Sequence, residues 1–421
     1  MMRKLVIIFF LISGFAHGQD TMLRLQDCYD NMLVNYPVAN QTGVYSQMSE
    51  LNIKNLKTGW LPNTEFNAQA TYQSEAIKVD ISAMGNNFGF EADKDQYKAT
   101  VDINQLIYDW GRIKSAKKVE NADLKVNQQK VQVELNKVKE LINQFFFSIL
   151  ILEKNEELLN VVLEELKSKE KSVSAGVENG ILLKSDLSAL KAEKLKVNQS
   201  ITEIGLQRMA AINALSEITG TQIKPDVVLE VPEYNLEMTT QLNRPEWELF
   251  DCQKEMLEFN SQVISKQNKP KIFAFSQLGY GKPGLNMIND EFDSYYFVGV
   301  GLKWNFWDWN KTKRQKQIIS LNKNIITSQQ NTFNKQINVA LKNEKTKIDI
   351  YSEAIKSDKE IIKLREEVTE SARSKLDNGV ITSSDYISEL TRETQAKLKY
   401  ETHKLKLVKS KVNYLYIKGE I

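Results

Sequence analysis

Proline is scarce in this chain and missing from long stretches of it. The seven prolines lie at positions 37, 62, 225, 232, 245, 270 and 283, so none falls between Asn63 and Lys224 and none follows Pro283. A helix interior excludes proline, whose ring clashes with the preceding turn and whose nitrogen has no hydrogen to donate. Two very long helical regions are therefore open to the 421-residue chain, and a compact α/β enzyme is disfavoured. Long apolar runs are missing as well. A mean hydropathy of −0.41 excludes a polytopic helical membrane protein, which needs several apolar runs of about 20 residues. Hydrophobic residues still make up 42% of the chain, enough for a core, which excludes wholesale disorder. Charge of one sign is absent too: 56 Lys and Arg face 54 Asp and Glu. No basic footprint exists, and no nucleic-acid partner is expected.

Reactive residues are equally few. The histidines are His17 and His403, and the cysteines are Cys28 and Cys252. No histidine-based triad or zinc cluster can be assembled from them. There is no nucleophile motif and no glycine-rich phosphate loop. The expectation is a protein that is not an enzyme and has no cofactor and no metal. His403 sits in the lysine-rich stretch Lys399-Tyr400-Glu401-Thr402-His403-Lys404 and is expected on a solvated helix face. The two cysteines are expected to be unpaired.

The N-terminus reads as a signal peptide over residues 1–18: Arg3-Lys4, the apolar run Leu5 to Phe15, then the small-x-small site Ala16-His17-Gly18. The run is too short for a membrane anchor. Removal of Arg3 and Lys4 leaves a neutral chain.

Beyond it the sequence repeats itself. Asn35-Tyr36-Pro37 matches Asn243-Arg244-Pro245, and Pro62 matches Pro270 at the same offset. Tyr108-Asp109-Trp110 matches Trp307-Asp308-Trp309, Asn179-Gly180 matches Asn378-Gly379, and Ser185-Asp186 matches Ser384-Asp385, again at one shared offset. The expected plan is a first structural repeat over 19–224, with a helix, a β-hairpin at 63–108 and a helical hairpin at 110–220. A linker follows at 225–236. The second repeat, 237–421, has a helix, a β-hairpin at 271–307 and a helical hairpin at 309–419.

The hairpins of strands are read from a period of two. Phe66, Ala68, Ala70 and Tyr72 alternate with Asn67, Gln69 and Thr71. After a polar stretch from Met84 to Asp95, Tyr97, Ala99, Val101 and Ile103 alternate with Lys98, Thr100, Asp102 and Asn104. In the second half Tyr296, Val298, Val300, Leu302, Trp304 and Phe306 oppose Phe297, Gly299, Gly301, Lys303 and Asn305, while Lys271 to Gly281 alternates less cleanly. Strands of about ten residues cross an outer membrane when tilted, and aromatic strand ends suit its interfaces. Four strands are too few to close a barrel, so a membrane role requires several chains to share one. The other reading of these strands is the edge of a soluble sandwich.

After Trp110 the period changes to seven. Leu124, Val131, Val138, Phe145, Leu152, Leu159, Leu166 and Val173 form one heptad series, with Leu135, Ile142, Ile149 and Leu163 beside it. Leu183, Leu190, Val197, Ile204, Ala211 and Ile218 follow. In the second half Ile319, Ile326, Phe333, Ala340, Ala354, Ile361 and Val368 share a register that Lys347 interrupts. Trp110 to Val177 would make about 100 Å of helix.

These motifs together resemble the TolC-like outer membrane efflux proteins, also called outer membrane factors, over essentially the whole mature chain. Ile107-Tyr108-Asp109-Trp110-Gly111-Arg112, its copy Phe306-Trp307-Asp308-Trp309-Asn310-Lys311, and the duplicated pairs Gly180/Asp186 and Gly379/Asp385 carry the resemblance. It implies a mainly α fold with a β-barrel part. Long antiparallel helical hairpins would form a coiled-coil tube, and four strands per chain would form one-third of a trimeric, twelve-stranded outer-membrane barrel. It implies a homotrimer in outer-membrane lipid that extends into the periplasm and passively exports small molecules or proteins. A periplasmic adaptor protein and an inner-membrane pump would be its partners.

The same resemblance assigns adaptor docking to the hairpin tips, Asn179, Gly180 and Ile181 with Asn378, Gly379 and Val380. It assigns a periplasmic gate to Asp385, with Ser388 where the family has a second acid. The family's tip arginine falls at Ile381 and is absent. Asp385 also fits a helix cap, since Thr382-Ser383-Ser384-Asp385 is a capping-box pattern; Asp186 is expected to be structural. The competing function is a periplasmic coiled-coil adaptor or scaffold with no barrel, which would not need alternating strands.

Overall fold

The computed structural model describes residues 22–76, 78–80, 89–91, 93–234, 242–287, 289 and 291–421. The expected signal peptide, 1–18, lies outside the described residues, as do residues 235–236 of the expected linker. In chain order the elements are α1 (Leu25–Asn35), a 3-10 turn (Pro37–Asn40), α2 (Gln41–Thr58), β1 (Asn63–Tyr72), β2 (Lys78–Asp80), β3 (Gly89–Glu91), β4 (Asp95–Tyr108), α3 (Arg112–Glu178) and α4 (Lys184–Thr219), then α5 (Pro245–Gln267), β5 (Lys271–Lys282), β6 (Asp293–Lys303), α6 (Lys311–Asp377) and α7 (Ser383–Lys418). The helices α3 and α6 have 67 residues each, and α4 and α7 have 36 each. The chain divides into a strand unit, Asn40–Val133 with Pro245–Lys335, and a helical unit, Met1–Ala39 with Glu134–Arg244 and Gln336–Ile421.

In the strand unit, β1, β4, β5 and β6 form an antiparallel sheet in the order β1-β4-β5-β6, so β1 and β6 are its edges. A separate ribbon of β2 and β3 lies within the segment that joins β1 to β4. The period of two divides the sheet into two faces. One carries Phe66, Tyr72, Tyr296, Val298, Val300 and Leu302, and it is open: Val298 is 72% exposed and Val300 70%. The other carries Asn67, Gln69, Thr71, Lys98, Thr100, Asp102, Asn104 and Lys303. The last strand is shorter than expected. It ends at Lys303, opposite Lys271, so Trp304, Asn305 and Phe306 lie beyond it. The cause is Pro270, which precedes Lys271 and has no N–H to extend the ladder.

The strand-to-helix turns explain the duplicated aromatic-Asp-Trp motif. Asp109 is buried. Its Oδ1 accepts from the Gly111 N–H at 2.8 Å and its Oδ2 from the Ile113 N–H at 2.7 Å. Asp308 Oδ2 accepts from the Thr312 N–H at 2.8 Å and from the Asn268 amide. Each carboxylate thus serves N–H groups that a helix start leaves without partners. Trp110 and Trp309 take positive φ, 57° and 54°, a conformation that costs a bulky residue roughly 1–2 kcal/mol. Their rings pack edge-on against Tyr108 and Trp307.

In the helical unit, Leu159, Leu163, Leu166 and Val173 of α3 bury against Leu190 and Val197 of α4, Ala372 and Leu376 of α6, and Tyr386 and Leu390 of α7. All four helices share this core, as the heptads of α3 and α4 require. Elsewhere α1 sinks Leu25, Cys28, Tyr29 and Met32, and the Tyr29 hydroxyl donates to Asn143 Oδ1 on α3.

Two sequence expectations change here and one holds. Ile361 and Val368 are exposed, at 44% and 45%. The inward line of α6 instead runs one residue further on, through buried Ile348, Thr369 and Leu376 and half-buried Ile355 and Ile362. A straight helix drifts by about 20° per heptad, so five heptads beyond Ile319 amount to about one residue. Lys347 marks that drift, because Ile348 has taken the buried place. His403 is not on a solvated face. Its Nδ1 lies 2.6 Å from Asp358 Oδ2, with side chains only 16% and 6% exposed, and its ring packs on Tyr351. Asp358 occupies a seam position, so His403 is drawn into the seam to meet it. Cys28 and Cys252 are both free, as expected. Burial, with a smaller push from Asp27, raises the Cys28 thiol to about 12.

The turn chemistry sets a test. Asp109→Ala strands two N–H groups and is expected to cost about 1–2 kcal/mol in thermal unfolding. Asp308 is held at about 2, chiefly by bonds from Thr312. A lowered carboxyl stabilises above its ordinary range and loses that contribution as pH falls toward its folded value. Asp308→Asn should therefore melt below the unsubstituted protein at pH 7, with the gap closing near pH 2. Superimposed melts at pH 7 would contradict this.

Candidate functional site

At the end of α3 the chain must turn back within a few residues. Gly180 supplies the left-handed residue at φ 74°, and Gly379 does so after α6 at 68°. The Ile181 N–H then donates to Gly176 O at 2.8 Å and the Val380 N–H to Lys375 O at 2.8 Å, closing the same helix-ending loop twice. Asn179 and Asn378 sit just before these glycines. Ile181 and Val380 just after them are 71% and 69% exposed.

The helices that follow are capped by acids. The Thr382 backbone N–H and hydroxyl both donate to Asp385 Oδ2, at 3.1 and 2.7 Å, and the Asp385 N–H donates back to Thr382 Oγ1 at 3.2 Å. The Thr382 hydroxyl, then its backbone N–H, hold the Asp385 carboxyl below the usual carboxylate range. Asp186 does more than cap. Its Oδ2 accepts from the Leu183 N–H at 3.3 Å, and its Oδ1 accepts from the Ser383 N–H at 2.8 Å, which ties the start of α4 to the start of α7. Both residues are buried.

Behind these caps lies a polar network that the sequence reading missed. Glu165 of α3 accepts from Tyr386 Oη of α7 at 2.5 Å and pairs with Arg373 of α6. Lys169 of α3 pairs with Asp377 of α6 at 2.7 Å. Burial, then the bond to Glu165, pushes the Tyr386 phenol above its usual value. An arginine therefore does stand near the tip, at Arg373 rather than at Ile381. Nothing local in the sequence pairs Glu165 with Arg373, because the partners lie on helices far apart in the chain.

Asp385 and Ser388 lie together, with Ile381, Val368, Lys375 and Arg392, along an open groove of about 620 Å³ between α6 and α7. The capping bonds to the Asp385 side chain fall on Oδ2. The tip glycines and the groove belong to one helical unit. Among the described residues no cluster of His, Cys, Asp and Glu could hold a metal ion, and no helix is long and apolar enough to cross a membrane.

No protein-family model and no curated protein matches the sequence. Solved structures do match in fold. The outer membrane protein VceC of Vibrio cholerae superposes with a TM-score of 0.69 at 14% identity, over 94% of this chain and 96% of that one. The CmeC outer membrane channel of Campylobacter jejuni gives 0.66 at 14%, over 94% and 85%. The open state of the MtrE outer membrane channel of Neisseria gonorrhoeae gives 0.68 at 13%, over 94% and 89%. At these identities the likeness carries the fold, and the chain has the fold of the TolC-like outer membrane channels that its duplicated motifs resemble.

Proposed function

We propose that this chain is an outer-membrane channel-tunnel. Three copies close one twelve-stranded barrel around a water-filled duct, and the helical hairpins reach into the periplasm. The observation that carries this reading is the sheet. It has one open apolar face, one polar face and two edges, β1 and β6, that are unpaired among the described residues. An open edge cannot face lipid, since its backbone groups would go unsatisfied, and closure with neighbouring copies removes it. The apolar face then meets lipid and the polar face meets water. A scaffold without a barrel leaves that apolar face uncovered. The matching solved proteins described as outer membrane channels support the same reading.

The chain also reads as a duplication, in keeping with the paired lengths of α3 with α6 and α4 with α7. At the tips, Asn179, Gly180, Ile181, Asn378, Gly379 and Val380 form the docking surface for a periplasmic adaptor protein, which couples the duct to an inner-membrane pump. The exposed Ile181 and Val380 give it apolar contacts. Asp385, beside Ser388, forms the gate. Three copies about a threefold axis make a ring of carboxylates, which biases a pore toward cations. Glu165, Arg373 and Tyr386 hold that end of the hairpins together. Transport is passive, with the substrate chosen by the pump.

Two measurements test this. The protein should sediment with outer membranes and migrate as a heat-sensitive trimer in detergent gels; recovery as a soluble periplasmic monomer would refute the barrel. In planar bilayers Asp385→Ala should lower the preference for cations, whereas unaltered selectivity would leave Asp385 as a helix cap alone.

A further inference from the structure

The polar face of the sheet is not polar throughout. β5 and β6 place Phe273, Phe275, Tyr295 and Phe297 on it, in register with the polar row of β4. Phe275 lies 6.1 Å from Phe273 and 6.2 Å from Phe297, centroid to centroid. Each of three rings covers a glycine of the adjacent strand. A Cβ at Gly299 would stand 2.5 Å from Phe275 Cζ, one at Gly301 2.5 Å from Phe273 Cζ, and one at Gly279 2.2 Å from Tyr295 Cζ. With one side of each ring against backbone, the other side is turned away from the sheet. Covering glycine protects the ladder, but that role needs no charge nearby.

Charge is nearby. Glu65 and Asp102 stand directly opposite each other on this face, and Asp102 shares its cross-strand row with Gln277 and Phe297. Like charges so placed destabilise a sheet. Asn67, Thr100 and Gln277 donate to Asp102, and the Asn63 amide donates to Glu65. These neutral donors orient the carboxylates without neutralising them, and neither acid has an ion-pair partner among the described residues. One cation already rests on the strip: Lys98 Nζ sits 5.9 Å from the Tyr295 ring centroid.

We infer that this face is a contact strip for planar aromatic cations moving through the duct. The phenyl rings take the flat body by stacking and cation–π attraction, and Glu65 and Asp102 take the charge. Contacts of this kind are weak enough to release a solute as readily as they hold it, as conduction requires.

The inference rests on the duct reading, and single-channel recording separates the two. Ethidium should produce brief, concentration-dependent closures of the reconstituted channel. Tetramethylammonium, a cation without rings, and pyrenesulfonate, a ringed anion, should do so at least about tenfold less well, the scale of one cation–π contact. The substitutions D102N and F275L/F297L should each weaken the ethidium block severalfold, with conductance in salt alone reporting that the variant has folded. Equal block by the three probes overturns the inference without needing any variant, as does a block that folded variants leave unaltered. A protein that inserts as a trimer yet conducts no ions overturns the duct and the strip together.

Discussion

A helix start leaves N–H groups without partners, and a strand leaving its sheet must change direction at once. At Asp109 and Asp308 one carboxylate answers both demands. Asp109 reaches the N–H groups of Gly111 and Ile113, so the first turn of α3 is fixed within five residues of the end of β4. Asp308 does the same for α6. The 67-residue helices take their starting point from these two turns. The left-handed Trp110 and Trp309 are tolerated because the turn is closed on both sides, by the carboxylate and by a neighbouring aromatic ring.

Phase explains both what was legible in the sequence and what was not. Period two marked β1, β4 and β6 with the correct faces, and period seven marked α3 and α4 with the correct core except at Leu183, which precedes α4 and is exposed. In α6 the strict heptad series outran the helix. Apolar residues at Ile361 and Val368 looked like seam positions, but the accumulated drift turns them outward and brings Asp358 and Thr369 in. A polar residue in a seam is legible only when its partner is known. Asp358 is tolerable because His403 meets it, and His403 in turn looked solvated because its sequence neighbours are charged. The same limit applies to Asn143, buried on α3 beneath Tyr29.

The tips divide along the same line. The turns after α3 and α6 depend on glycine and a cap within a few residues, so Gly180, Gly379, Asp186 and Asp385 could be found from spacing alone. The bond from Ser383 to Asp186 and the pairing of Arg373 with Glu165 could not, since only the packed hairpins bring those residues together. In β5 Phe273 and Phe275 oppose Ile272 and Ala274 in the sequence, which leaves open the face they take. Their place on the polar face follows from the register between the strands, which the imperfect alternation of β5 does not specify.

This division has an energetic consequence for the proposed gate. Behind the tips the four helices share apolar residues such as Leu166, Leu190 and Leu376, and each fully buried Leu contributes about 1.5–3 kcal/mol. Around Leu376 and Tyr386 the hairpins are also joined by hydrogen bonds and by partly exposed ion pairs, each worth about 1 kcal/mol or less, and nearer the turns Val177, Leu182 and Ile381 pack half-buried against the core. Exchanging the polar contacts for water or for a partner's polar groups costs little, whereas separating the apolar core costs far more. An opening at the proposed gate therefore has to exchange these polar contacts and release the half-buried Val177, Leu182 and Ile381, and it becomes far costlier once it reaches Leu166, Leu190 and Leu376.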